Sequence, residues 1–204
     1  MKVCSLLLVV LSLQLGSNVS PASPPQRSPD AVVRELYQVV VAGRPLGIPK
    51  GRVKAALWPY LSKRLTQRLE AAQACEDDYF RQHATDTGKP QFAWLDRGIF
   101  SGADDRAMPS EAVVQRSEPQ QDGSFRVNVT LTYNDAAAAY GRLADPADDI
   151  HWQVAAVVIL EDQRFVVDDI LLFKDDSTEI RSRLADSFPG CDGPHWVGDN
   201  TGRK

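Results

Sequence analysis

The stretch QRFVVDDILLF, residues 163–173, decides the fold because it reads as a buried strand with two adjacent aspartates in its middle. The run before it, HWQVAAVVIL at residues 151–160, is rich in apolar and β-branched residues in the same way. The short link around Asp162 and Gln163 suits a tight hairpin turn. The two runs therefore predict the closing ribbon of an antiparallel sheet.

A hairpin that turns at Asp162-Gln163 sets Ala156 opposite Asp169. Because successive strand residues point to opposite faces, Asp169 is then expected among the apolar side chains and Asp168 on the outside. The two carboxylates form no adjacent acid pair unless a bulge intervenes. A carboxylate turned inward needs a donor or has a raised pKa.

Arg34, Tyr37 and Tyr60 are the donors expected near Asp169, since they lie on the helices that the sheet must cover. Trp152 shares the expected inward face of the ribbon with Asp169. The candidate ligand-binding residues are therefore Tyr37, Tyr60, Trp152 and Asp169, and the candidate catalytic residue is Asp169. A purely structural charge, a ligand contact and a general base all remain open readings of Asp169, the first being favoured.

The first half of the chain has helical periodicity. Ser28 and Pro29 suit the start of a helix that Gly43 ends. Residues 43–51 form a turn-rich connector, and leucines at spacings of three and four predict a long helix over 59–83. Residues 84–110 are expected to be irregular, anchored by aromatic side chains at Phe92, Trp94 and Phe100.

The second half changes to alternating periodicity. Residues 111–118 and 125–133 are strand candidates, joined by a hairpin signal at Asp122-Gly123. Residues 134–149 interrupt the pattern as an insertion, and residues 176–188 are expected to form a short amphipathic helix. Helices followed by a meander of about four strands predict an α+β fold with N-terminal helices packed on an antiparallel sheet and a short C-terminal helix.

The N-terminus is typical of an exported protein. A charged Lys2, an apolar run and small residues near Ala22 predict a signal peptide over 1–22, whose apolar run is too short to cross a bilayer comfortably. A linker over 23–29, a single domain over 30–188 and a loop tail over 189–204 follow. The expected location is outside the cell or in a bacterial periplasm, with no membrane attachment after cleavage.

Two cysteines, Cys75 and Cys191, remain once the signal peptide and Cys4 are removed. An even number of cysteines in an oxidising compartment favours a disulfide between them, the alternative being two separate buried thiols.

Composition excludes several function classes. The chain has 23 Lys and Arg against 27 Asp and Glu, a formal charge of -4, so no concentrated basic face for nucleic acid is expected. The three histidines lie far apart in sequence, and no zinc, calcium or phosphate-loop pattern occurs. No cofactor and no metal are therefore expected.

A resemblance enters with the segments AVVRELYQVV, LWPYLSKRLTQRL and RFVVDDILLF, which span roughly residues 30–180. They resemble the cystatin-like α+β roll of the nuclear transport factor two superfamily, and within it a family of small secreted bacterial proteins of unknown function. The resemblance implies a curved sheet that encloses a cone, in which some members use a pocket Asp as a general base.

Fold does not transmit function, and no second catalytic group accompanies Asp169. The sequence therefore predicts a secreted or periplasmic non-enzymatic binding protein for an unknown small ligand or protein partner, with a homodimer through the sheet as one form of partner. The alternative is a pocket enzyme of isomerase or hydratase type with Asp169 as general base.

Overall fold

A computed structural model describes residues 27–87, 92, 94–103, 108–134, 149–174, 177 and 179–198. In these residues, three α-helices precede the strands. Helix α1 is Pro29–Gly43, α2 is Gly51–Leu57 and α3 is Lys63–Gln82, with a 3-10 turn at Trp58–Tyr60. The expected signal peptide over 1–22 and most of the expected linker lie outside the described residues.

The predicted limits of the first helix are confirmed. The Ser28 side chain accepts a hydrogen bond from the Ala31 N–H, and Pro29 occupies the first turn, where a missing N–H costs nothing. The helix ends at Gly43, and Arg44 follows in the left-handed conformation with φ of 42°.

The predicted long helix over 59–83 is wrong at its start. Helix α3 begins at Lys63 because Ser62 caps it, its Oγ accepting from the Leu65 N–H. Pro59 lies in the separate 3-10 turn, and α2 occupies sequence that was expected only to lead into the long helix. Leu61 bridges to Val167 in the sheet, a contact that holds residues 61 and 62 out of any helix.

Among the described residues the main sheet has six antiparallel strands, more than the four expected. The strand order is β1-β3-β4-β5-β6, and β2 pairs with β3 beside β1. The strands are β1 Glu111–Val114, β2 Glu118–Pro119, β3 Phe125–Asn134, β4 Asp149–Glu161, β5 Arg164–Phe173 and β6 Ile180–Arg183. The predicted α+β class is confirmed, and the strand count is corrected.

Both predicted hairpin turns are present. Asp162 and Gln163 have φ of 47° and 62°, the pair of positive values that a two-residue hairpin of the favoured hand requires. Gly123 has φ of 82° in the turn between β2 and β3, where the Asp122 carboxylate accepts from the Ser124 N–H. Residues 135–148 of the expected insertion lie outside the described residues.

The predicted C-terminal helix over 176–188 is wrong. Residues Ile180–Arg183 form β6 on the edge of β5, and a single 3-10 turn, Leu184–Asp186, follows. Backbone pairing to the exposed edge of β5 outweighs a weak helical pattern in so short a segment. In the expected loop tail, β7 Cys191–Asp192 and β8 His195–Trp196 form a small hairpin.

The core lies between the helices and one face of the sheet, the core face. Helices α1 and α3 supply one wall, and alternate residues of β3, β4 and β5 supply the other. The core side chains that these five elements supply are Val32, Val33, Leu36, Tyr37, Val40, Leu65, Leu69, Ala72, Val127, Val129, Leu131, Val154, Ala156, Val158, Val167, Ile170 and Leu172. Phe92, Trp94 and Phe100, the expected aromatic anchors of the irregular segment, are all buried as predicted.

The predicted cysteine pair is present as a disulfide. Cys75 on α3 and Cys191 on β7 have an S–S distance of 2.04 Å and a Cα–Cα distance of 5.9 Å. The bond joins residues 116 positions apart, so it fastens the C-terminal hairpin to the longest helix.

Candidate functional site

The two aspartates of β5 lie at a β-bulge. Val158 pairs with Val167 and Val157 pairs with Asp169, so Asp168 is the extra residue between them. Downstream of the bulge Ala156 pairs with Ile170, and the expected pairing of Ala156 with Asp169 is wrong. The bulge therefore moves Asp169 off the core face, where Ile170 takes its place.

Asp168 is the centre of a polar cluster with α3. The Arg64 guanidinium holds the carboxylate with two bonds, Nη2 to Oδ2 at 2.5 Å and Nε to Oδ1 at 3.1 Å. The Ser62 hydroxyl donates to Oδ1 at 2.6 Å while its oxygen caps α3. Asp168 therefore fixes the N-terminus of α3 on the sheet.

Asp169 is buried, as predicted, with 2% of its surface exposed. Its Oδ1 accepts from the Ile170 N–H at 2.9 Å and from the Ala185 N–H at 3.0 Å. Its Oδ2 lies 3.5 Å from Nη1 of Arg183. The carboxylate therefore holds the 3-10 turn Leu184–Asp186 against β5.

We call Ser62, Arg64, Asp168, Asp169 and Arg183 the acidic junction. Burial works to raise the pKa of Asp168, but hydrogen bonds from Arg64 and Ser62 outweigh it and hold that pKa below its ordinary value. Burial raises the pKa of Asp169, and the bonds from Ala185, Ile170 and Arg183 offset the rise only in part. The bulge thus gives two adjacent carboxylates opposite pKa shifts.

The expected donors to Asp169 are corrected by the structure. The Tyr37 hydroxyl is fully buried and donates to the Phe100 carbonyl at 2.9 Å, and its burial raises the pKa of Tyr37. Trp152 donates from Nε1 to the Ser101 carbonyl at 2.8 Å. Tyr37 and Trp152 therefore both donate to carbonyls within residues 98–103 and not to Asp169.

The other two expected donors also lie elsewhere. Arg34 lies 3.5 Å from Asp30 one turn back on α1. Tyr60 borders a shallow groove of about 440 Å³ between α1 and α2, together with Glu35 and Arg52. Asp169 is not among the residues that line this groove. The four candidate ligand-binding residues are therefore dispersed over three places in the fold.

Sequence reasoning missed Arg64, Arg183 and Ser62 as partners of the aspartates. The one available signal was Ser62, whose residue type three positions before Leu65 is typical of a helix cap. The two arginines had no signal, because their approach depends on the bulge and on the path of β6.

A second cluster lies around the disulfide. Tyr79 contacts Phe92 with ring centroids 4.6 Å apart and Trp196 at 5.1 Å. The backbone N–H of Trp196 donates to Asp78 at 3.0 Å, and this bond is the main reason why the pKa of Asp78 is lowered. This region joins the C-terminal hairpin to the end of α3.

Within the described ranges, no group of three or more acidic, histidine or cysteine side chains is arranged to hold a metal ion. No helix in this part of the chain combines the length and the apolar composition that crossing a bilayer requires.

Comparisons of the chain with protein-family models, with curated proteins and with solved structures give no match. The resemblance to the cystatin-like roll therefore stays a prediction, and the function rests on the geometry of the chain itself.

Proposed function

We propose that this chain is an exported, non-enzymatic binding protein built on a cystatin-like α+β roll. The observation that carries the proposal is the engagement of both oxygens of Asp169 by protein groups. The apolar leader and the disulfide between Cys75 and Cys191 support export to an oxidising compartment.

Asp169 is poorly placed to act as a general base. A base must come within hydrogen-bond reach of the substrate proton, directly or through one water molecule. Oδ1 already accepts two backbone N–H groups, and Oδ2 faces the Arg183 guanidinium. A substrate would have to displace the 3-10 turn Leu184–Asp186 to reach the carboxylate, which favours a structural role.

The outer face of the sheet is the better recognition surface. We define it as Arg126, Asn128 and Thr130 on β3 with His151 and Gln153 on β4; in the register of the two strands, Thr130 pairs with Gln153 and Thr132 pairs with His151. His151 and Gln153 are exposed. Arg126 is held in place by a bond from its Nε to Asn128 Oδ1 at 3.0 Å and by its position 5.2 Å over the Phe173 ring.

Charge arrangement favours a second copy of this chain as the partner. Arg126 lies near one end of β3, and the acidic side chains Glu111 and Asp149 register with the other end, opposite Thr132 and Asn134. A two-fold axis through the middle of β3, near Thr130, places the positive end of one copy opposite the negative end of the other copy. Self-complementarity of this kind is what a two-fold dimer interface requires.

The test is the mass of the protein in solution with a matched pair of variants. We expect a dimer by light scattering, and at least a tenfold weaker dimer for Gln153→Lys, since it places two like charges near the axis. Gln67→Lys, an exposed position on α3, makes the same chemical change away from the sheet and should leave the dimer intact. A strict monomer at high concentration, or equal weakening by both variants, overturns the dimer through the outer face.

The alternative is a pocket enzyme of isomerase or hydratase type with Asp169 as general base. The raised pKa of Asp169 is the one property that fits it. Any turnover that this protein shows should then disappear in Asp169→Asn while the fold persists. A folded Asp169→Asn variant with full turnover removes Asp169 from the chemistry.

A further inference from the structure

A groove of about 440 Å³ separates α1 from residues 51–60, which comprise α2 and the 3-10 turn after it. Arg52, Ala56 and Tyr60 line the wall that this segment supplies. They are spaced four residues apart, and residues at this spacing lie above one another on one face of a helix. One helical face therefore carries a cation, a small apolar side chain and an aromatic ring in a row.

Helix α1 supplies the facing wall in the same way. Glu35, Val39 and Ala42 line it and are three or four residues apart. Val39, together with Val53 of α2, is partly buried against the core, so the floor of the groove is apolar and held in place. The volume lies within the range of small-molecule sites, which are mostly apolar with a few polar groups that orient the ligand.

The two walls run in opposite directions. Helix α1 ends at Gly43, where an added Cβ would lie 3.1 Å from Val53 Cγ1, so the end of α1 is in close contact with the start of α2. Arg52 therefore lies at the end of the groove where α1 finishes, and Tyr60 lies at the end nearer Glu35. Eight residues at about 1.5 Å each separate Arg52 from Tyr60, which makes the row about 12 Å long.

The two charges that line the groove differ in whether they have a partner. Glu35 Oε2 lies 2.9 Å from Nη1 of Arg27, which neutralises its charge. Arg52 is exposed, and within the described residues no hydrogen bond or ion pair engages its guanidinium. A guanidinium without a partner at one end of an apolar groove is complementary to a carboxylate, which it can hold with two parallel hydrogen bonds.

We propose that this groove binds a free straight-chain carboxylic acid of medium chain length. Its carboxylate pairs with Arg52, its alkyl chain lies on Val53 and Ala56, and its tail ends at the Tyr60 ring. The reverse orientation would put the ligand carboxylate near that of Glu35, where like charges repel. The inference rests on the proposed binding function and supplies a ligand class for it.

The length of the groove sets an optimum of chain length. Titration calorimetry with hexanoate, octanoate, decanoate and dodecanoate, each below its micelle concentration, measures this optimum. Binding should tighten about fourfold for every two methylenes added up to decanoate, because a groove open on one side shields each methylene only in part. Dodecanoate should gain little more, since its last carbons extend past Tyr60 into solvent.

The role of the charge is tested with octanamide, which has the size of octanoate without its charge. Octanamide should bind the wild type about fivefold more weakly than octanoate, since it forms no charged pair with Arg52. Arg52→Gln should weaken octanoate to the level of octanamide and leave octanamide unchanged. Arg116→Gln removes an exposed arginine from the link between β1 and β2 and should change neither affinity.

The place of the chain is tested by filling the groove. Ala56→Phe should weaken every acid at least tenfold, because its ring takes the space of the alkyl chain. Ala55→Phe makes the same change at the next exposed position of α2, which does not line the groove, and should leave binding intact. Tyr60→Phe keeps the ring and should bind decanoate like the wild type, since the proposed orientation leaves the hydroxyl unused.

Folded wild type without saturable binding of decanoate overturns the proposal, as does equal loss of binding in Ala56→Phe and Ala55→Phe. Equal affinities for octanoate and octanamide overturn the role of Arg52, and weaker decanoate binding by Tyr60→Phe overturns the orientation. If Ala56→Phe loses the dimer and no acid binds the wild type, a second copy occupies the groove instead. The groove shares no residue with the outer face, so failure here and failure of the proposed dimer are distinguishable.

Discussion

The acidic junction and the C-terminal strap, which we define as residues 189–198, do the same structural task by different chemistry. At the junction, Asp169 holds the 3-10 turn Leu184–Asp186 to β5 through backbone N–H groups. Along the strap, a disulfide and the Trp196 ring hold the last hairpin to α3. One region is fastened by a buried carboxylate, and the other by a covalent bond and aromatic packing.

The difference shows which change in solution conditions, in pH or in thiol concentration, alters the stability of each region. A carboxylate responds to pH through the free energy of its ionisation, whereas a disulfide is indifferent to mild acid and responds to thiols. Since the two regions share no residue, each is expected to change without the other. The turn Leu184–Asp186 is therefore expected to respond to pH, and residues 189–198 are expected to respond to thiols.

The largest expected effect breaks the strap. Replacing Cys75 and Cys191 together by Ser removes a cross-link across 116 positions, and we expect a loss of about 3–5 kcal/mol in the free energy of unfolding. Urea unfolding without reductant measures it, and wild type in dithiothreitol should give the same value. A loss below about 1 kcal/mol would contradict the role of the bond.

The next effect breaks the junction. Asp169→Ala leaves the buried N–H of Ala185 without its acceptor, and we expect a loss of about 2–3 kcal/mol. Asp169→Asn keeps Oδ1 and should lose less than half as much. Equal losses in the two variants, measured by urea unfolding, would show that the charge and not the hydrogen-bond acceptor matters.

The smallest expected effect is a difference between Asp168 and Asp169, within the acidic junction, in how pH changes the cost of substitution. Asp168 has a lowered pKa, so its contribution to the free energy of unfolding is present above its unfolded pKa and is lost as pH falls through the folded value. The Asp168→Asn substitution should therefore destabilise the protein more at about pH 7 than at about pH 3. Asp169 has a raised pKa, so its contribution to the free energy of unfolding is lost as pH rises through the folded value. The Asp169→Asn substitution should therefore destabilise the protein less at about pH 7 than at about pH 4. Unfolding curves in which both costs change in the same direction would contradict the opposite shifts.

Much of the fold follows from local patterns. The start of α1 at Ser28, the turn at Asp162-Gln163 and the strand character of residues 164–173 are set by residue types within a few positions. The errors fall where a distant strand edge competes with a local preference. Residues 180–183 pair with β5 instead of forming a helix, and Leu61 bridges to Val167 instead of extending α3.

The candidate site was predicted only in part. The burial of Asp169 was predicted from the apolar residues on both sides of it in the sequence, and the structure confirms this burial. Its partners could not be predicted, because the bulge between Val157 and Val158 changes which face Asp169 occupies. The expected contacts to Tyr37, Tyr60 and Arg34 depended on a regular ladder and are wrong.

Sequence alone determined the class of fold, the closing ribbon and the burial of Asp169, and it favoured the cysteine pair, because periodicity, turn chemistry and cysteine parity are local or countable properties of the chain. Only the tertiary structure decided the bulge, the arginines that meet the two aspartates and the rings that surround Trp196. Those features depend on how separate elements approach each other. An unpaired strand edge or a buried polar group pairs with whichever suitable group the packing brings near.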